Sequence, residues 1–324
     1  MHRLIVNIIL LLTAGAASAQ QPEAAPAFGL VDLSAANFRS QPAQSAELAT
    51  QASYGTPVRI VETRGDWMLC ELPDGYQAWA DAPSVTVMTS EQMERWRAAP
   101  RLVVTSMTET HAVADTTAGY VADNIVTDLV LGSILEGDVP RPGAGFTAIS
   151  LPDGRAGYVE TAAVEPLDVW SQRVYDPQAI LTAAYSLTGV PYLWGGTTTK
   201  GVDCSGLVKV AFLASGFILP RNASQQATCG IAVDHTTPHL LQPADLLFFS
   251  PENEPESQRI THVAIYDGGG IYIHSSGRVR INSFNTASPR YLDRPVKRAV
   301  RLALPGREFP GATRIADHNW YFNR

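Results

Sequence analysis

The stretch Val202-Asp203-Cys204-Ser205-Gly206-Leu207-Val208 decides how the C-terminal half of this chain is read. It places a cysteine after a loop rich in glycine and aromatics, Gly189 to Gly196, at the start of an apolar run to Ser215 that reads as a helix. The partial positive charge at a helix N-terminus stabilises a thiolate and lowers the thiol's pKa. The thiolate is the nucleophilic form. Gly206 keeps the approach to the sulfur uncluttered. Taken alone, Cys204 is equally readable as a nucleophile or as a small buried hydrophobe.

Outward from that stretch, the region from Asp176 has the texture of an α+β domain. Pro177 to Ser186 has helical spacing with proline at the first position. The apolar runs Leu246-Leu-Phe-Phe249, Val263-Ala-Ile-Tyr266 and Ile271-Tyr-Ile-His274 read as strands. Thr261-His262 heads one of these runs and His274 ends the next. Asp267-Gly268-Gly269-Gly270 between them reads as a hairpin connection. A hairpin lays the start of one strand beside the end of the next, so His262 and His274 are expected to be neighbours. One ring can then take the thiol proton while the other orients it. The remaining histidines His111, His235, His239 and His318 lack that context. Zinc was weighed for one cysteine and two histidines, but no close-spaced ligand pair stands here. No metal or cofactor is expected.

Upstream, residues 28–87 and 101–166 each read as short strands between turn signals. Leu72-Pro-Asp-Gly-Tyr-Gln-Ala-Trp-Ala-Asp81 aligns without gaps on Leu151-Pro-Asp-Gly-Arg-Ala-Gly-Tyr-Val-Glu160. Trp67 falls over Phe146 and Trp79 over Tyr158. Two copies of a small β-barrel fit this better than one large sheet. Residues 88–100 form a linker, with a short helix near Glu91 to Ala98.

Met1 to Ala19 reads as a secretory signal, with Arg3, an apolar run Leu4 to Leu12, and Ala17-Ser18-Ala19 at the cleavage point. The run is too short to span a bilayer. The chain is therefore expected to be exported, periplasmic or extracellular, with no stable membrane insertion. Across 324 residues, 45% are hydrophobic and 17% charged, which argues for packed domains. A net charge of -7 with no basic cluster argues against a nucleic-acid partner. Three cysteines, Cys70, Cys204 and Cys229, cannot all pair, so at least one thiol is free.

Four motifs in order, Pro191-Tyr-Leu-Trp-Gly-Gly196, Val202-Asp-Cys-Ser-Gly-Leu-Val208, Leu219-Pro-Arg-Asn-Ala-Ser-Gln-Gln226 and Thr261-His-Val-Ala-Ile-Tyr266, resemble the NlpC/P60 cysteine peptidases. The upstream copies resemble bacterial SH3 (SH3b) domains through Gly65-Asp-Trp67, Asp74-Gly-Tyr76 and Trp79, and through Asp153-Gly154 and Gly157-Tyr-Val159. The resemblance implies two SH3-like barrels followed by a papain-like catalytic domain over residues 170–305, with a tail at 306–324. It implies Cys204 as nucleophile, His262 as base and His274 as the orienting residue. It points to the γ-D-glutamyl-L-diamino-acid endopeptidases of the YkfC type, which cut murein peptides having a free N-terminal L-Ala. Substrate contacts implied by the same match are Tyr192, Asp203, Ser205 and Ser224, with Tyr76 from the first barrel. Asp203 is expected to pair with the substrate's α-amino group. Asn222 departs from the family, which commonly carries Asp there.

Two other readings remain at this point. The same chemistry could remodel intact peptidoglycan, with the barrels as wall-binding modules, or the chain could be a non-catalytic binding protein. The sequence distinguishes neither diaminopimelate from Lys nor one oligomeric state from another.

Overall fold

The computed structural model describes residues 27–302 and 311–323; the expected signal segment lies outside them. The upstream region forms two seven-stranded sheets. Numbering strands along the chain within each sheet, the order across the first is third, second, sixth, fifth, fourth, first, seventh, and the second sheet has that same order. The aligned stretches explain the match. Strands Trp67–Glu71 and Gln77–Asp81 pair antiparallel in the first sheet, as do Phe146–Ser150 and Ala156–Glu160 in the second. In each, the Pro-Asp-Gly turn joins the pair with its glycine at positive φ, 77° at Gly75 and 87° at Gly154. Each sheet wraps a small apolar core of its own, one around Phe38, Val58 and Cys70, the other around Leu102, Leu135 and Val159.

A third core belongs to the C-terminal region. Six strands form an antiparallel sheet, with Leu246–Phe249, His262–Gly268, Ile271–Ser276 and Arg278–Ser283 as successive neighbours. The helix Cys204–Leu213 packs on one face. Leu207, Val208, Ala211 and Phe212 meet Leu246, Phe248, Val263, Ile265 and Ile273 there. The alternate residues Leu247, Phe249, Ala264, Tyr266 and Tyr272 form a cluster on the other face. Both faces of the sheet are thus covered, which is why Leu246-Leu-Phe-Phe249 is apolar without alternation. Within the helix only Lys209 and Leu213 escape full burial. A helix apolar nearly all round is one enclosed on all sides.

The C-terminal residues tie these regions together. Thr313–Arg314 pairs with Phe217–Ile218 after the cysteine helix. Arg101, buried at the start of the second sheet, donates to the Tyr321 carbonyl at 2.7 Å and to the Arg97 carbonyl at 2.9 Å. Its guanidinium lies over the Trp96 ring, 4.4 Å from the centroid. Trp320 meets Phe28 edge-on at 5.6 Å, and His318 lies 3.0 Å from the Pro73 carbonyl. The tail aromatics are therefore clamps between the sheets and the linker helix Ser90–Ala98.

Candidate active site

The sequence places Asp203 directly before the cysteine helix, where a short carboxylate caps best. Its side chain accepts from the Gly206 amide at 2.7 Å, closing the first helical turn. Gly206 is there because nothing larger fits: a Cβ would lie 1.9 Å from the Gly196 carbonyl oxygen. The same carboxylate accepts from Ser205 Oγ at 3.0 Å and from the Gly195 amide at 3.1 Å. Buried Arg221 pairs with both of its oxygens, donates to Ser205 Oγ at 2.9 Å, and reaches the Ala49 carbonyl of the first sheet at 2.9 Å.

Asp203 thus has a structural role beside the expected one. Five protein donors address this carboxylate, and together they fix its place at the helix start. Ser205 is likewise buried between Asp203 and Arg221. Tyr76 is half-buried against the core of the first sheet, and its described contacts lie there. Ser224 is exposed on the short helix Ala223–Gln226. Tyr192 is close enough to feel charge on Cys204 and Asp203, and together with burial this pushes its phenol up.

Cys204 sits at the first helical position, almost fully buried. Its sulfur lies 3.9 Å from the carbonyl of Thr261, and the Ser205 and Val263 amides act on it as donors. The thiol thus meets the strand at the position that carries His262. Along the hairpin, Ile265 faces Ile273 and Tyr266 faces Tyr272. Continuing that register puts His262 and His274 diagonally across on one face. Their rings meet: His262 Nε2 lies 2.8 Å from His274 Nδ1. His274 Nε2 lies 2.9 Å from Asn282 Oδ1 on the third strand.

The electrostatics are not those expected of a helix-start thiol. Burial and the Asp203 charge push Cys204 up to about 11, against the two amides and Arg221, which favour the thiolate. Burial lowers His262 well below its ordinary value, and Arg294, His274 and Arg280 add to the effect. His274 is brought down to about 4, chiefly by burial. The resting pair is therefore a neutral thiol and a neutral imidazole. A neutral imidazole of this kind has a bare nitrogen able to accept a proton.

Sequence reasoning did not pick out Asn282, Arg280 or Arg294, which lie on the third strand and the loop after it; no local pattern marks them. Arg294 donates to the Ser250 carbonyl at 3.1 Å and to Glu252 at 3.0 Å, and lies over Phe249. A cavity of about 100 Å³ lies elsewhere, between the two sheets, the far end of the cysteine helix and Tyr321.

A capped, buried thiol meeting a strand that carries one of two linked neutral histidines is a site able to perform nucleophilic attack on an amide. The comparisons agree. The NlpC/P60 family model matches residues 189–297, and a model described as a bacterial dipeptidyl-peptidase Sh3 domain matches residues 38–83. The chain thus carries an NlpC/P60 cysteine-peptidase domain with a bacterial SH3 domain ahead of it. A protein named dipeptidyl-peptidase 6 from Lysinibacillus sphaericus is 28% identical over 276 residues, 79% of this chain and 91% of that one. A Bacillus subtilis protein named gamma-D-glutamyl-L-lysine dipeptidyl-peptidase is 28% identical over 237 residues, 70% of this chain and 72% of its own. The crystal structure of an NlpC/P60 family protein from Bacillus cereus superposes with a TM-score of 0.70 at 21% identity, covering 85% of this chain and 99% of that one, and so shares the fold.

Two measurements check the site. Asp203→Asn leaves Arg221 buried without its counter-charge, so it should lower stability by about 3–5 kcal/mol in thermal or urea unfolding. Unchanged stability would contradict the dependence on the pair with Arg221. If His262 is the base, the profile of kcat/KM against pH should keep its acid limb well below 6.5, because its pKa is depressed. Arg294→Gln removes one cause of that depression and should move the limb upward. An acid limb at or above 6.5 in the native enzyme would contradict the neutral pair.

Proposed function

We propose that Cys204 is the nucleophile, His262 the base and His274 its orienting partner in hydrolysis of the γ-D-Glu–L-diamino acid bond of murein peptides. His262 takes the Sγ proton as sulfur attacks the amide carbon, and first-turn amides, including that of Cys204, stabilise the oxyanion. The C–N bond breaks as His262 returns the proton to the leaving amine. Water, deprotonated by the same histidine, then cleaves the thioester, restoring the thiol and releasing a carboxylate.

The observation that carries the substrate reading is how the first sheet closes on the catalytic loop. Gly195, at φ 80°, lies so close to the strand Leu48–Ala52 that a Cβ would sit 2.3 Å from the Leu48 carbonyl oxygen. Gln51 and Thr197 share three hydrogen bonds across the same contact, at 2.8, 3.1 and 3.2 Å. A wall at this place leaves room for a short N-terminal segment, as release of a dipeptide requires. The names of the related dipeptidyl-peptidases accord with this. Arg280 and Arg294 near the histidines suit a substrate bearing carboxylates, on a chain that is otherwise net acidic. Tyr192, Asp203, Ser205 and Ser224, with Tyr76 of the first sheet, are the side chains that would meet the peptide.

The shared strand order supports reading the second sheet as another SH3-like barrel, so that residues 28–87 and 101–166 are two such domains. Residues 170–305 are then the catalytic domain, papain-like in that a cysteine helix packs on an antiparallel sheet. Export, cell-envelope location and action in murein peptide recycling or turnover belong to the same reading. Among the described residues no helix is long and apolar enough to cross a membrane.

Digestion of L-Ala-γ-D-Glu-meso-diaminopimelate, its L-Lys counterpart, their N-acetylated forms and intact sacculi tests this. The free-amine peptides should yield L-Ala-γ-D-Glu, with acetylation slowing cleavage about a hundredfold, which corresponds to roughly 2.7 kcal/mol. Equal cleavage of acetylated peptide or rapid solubilisation of sacculi would overturn it in favour of wall remodelling.

A further inference from the structure

We infer that Asn282 is a positioning residue that fixes the protons along the histidine pair and so leaves His262 Nδ1 as the bare base. The argument starts at the far end of the chain of contacts. The Asn282 amide nitrogen donates to the Arg290 carbonyl at 3.0 Å. A backbone carbonyl only accepts, so the orientation of the Asn282 amide is set, with Oδ1 turned to His274. That oxygen, 2.9 Å from His274 Nε2, also only accepts. His274 Nε2 must therefore carry the hydrogen.

A neutral imidazole has one N–H and one bare nitrogen. With the hydrogen on Nε2, His274 Nδ1 is an acceptor. His262 Nε2, 2.8 Å away, is then the donor, and in neutral His262 the bare nitrogen is Nδ1. No ring needs to flip when Nδ1 takes the thiol proton, because the Nε2–H···Nδ1 contact is the same in both protonation states. Each proton position follows from the one before it. Without Asn282, His274 can carry its hydrogen on Nδ1 and donate to His262 Nε2. His262 then holds its own hydrogen on Nδ1, and no base is available at that nitrogen. Misplacing the tautomer in this way is how the Asp-to-Asn change disables the serine-protease triad.

The inference rests on Cys204 and His262 being the reacting pair proposed above. The two fail separately: activity retained in Cys204→Ala would remove that pair, whereas the tautomer is read without turnover. Nitrogen-15 NMR of histidine-labelled native enzyme near neutral pH should show His262 protonated at Nε2 and bare at Nδ1, with His274 likewise protonated at Nε2. Asn282→Leu should mix the tautomers and lower kcat about tenfold to a hundredfold with KM little changed. Asn282→Asp retains an acceptor toward His274 and should recover kcat to within a few-fold, with the native pattern of protonation. A native spectrum with the hydrogen on His262 Nδ1 would overturn the assignment, whatever the fate of the leucine variant. Equal loss in the aspartate and leucine variants with an unchanged spectrum would also overturn it, reducing Asn282 to a structural role.

Discussion

The buried pair between Asp203 and Arg221 is the interaction on which the site depends. One carboxylate caps the cysteine helix at Gly206, holds the loop at Gly195, and binds Arg221. Arg221 in turn reaches the backbone of the first sheet at Ala49. The position of the thiol, the shape of the glycine loop and the docking of the upstream domain are thereby set by one cluster of charges. Burying two charges is unfavourable unless each is paired and hydrogen-bonded. Here both are, and the gain is geometric. A thiol is useful only if held to within about half an ångström of its attack geometry, and this cluster fixes the turn from which it projects.

Around that fixed thiol the environment is dry and carries positive charge to one side. Burial disfavours both the thiolate and the imidazolium, and Arg280 and Arg294 disfavour the imidazolium further. The helix start alone does not offset these effects. Reactivity then comes from proton transfer at the moment of attack. On the proposed reading, the substrate's carboxylates would come near these arginines and alter the field that keeps His262 neutral.

Much of the fold was legible. The offset repeat around Asp74 and Asp153 corresponds to equivalent strand pairs, because turn chemistry and aromatic register are local properties. The contact between His262 and His274, and the place of Cys204 at a helix start, were legible because a helix start and a two-strand hairpin are short-range objects with fixed geometry. The structural side of Asp203 was not legible, because an acidic residue before a helix suits a cap and an ammonium equally well, and Arg221 arrives eighteen positions on. The depressed basicity of the histidines and the raised thiol follow from burial, which one sequence does not display. Asn282 was invisible because its meaning needs a third strand in register and the carbonyl of Arg290 behind it.

The most direct test of the account is an acid-quenched single turnover with L-Ala-γ-D-Glu-meso-diaminopimelate, followed by peptide mapping of the enzyme by mass spectrometry. The account predicts an L-Ala-γ-D-Glu acyl group on the peptide bearing Cys204, labile to hydroxylamine as a thioester is, and none on the peptides bearing Cys70 or Cys229. Turnover with Cys204 unmodified throughout, or an acyl group on another residue, would contradict it.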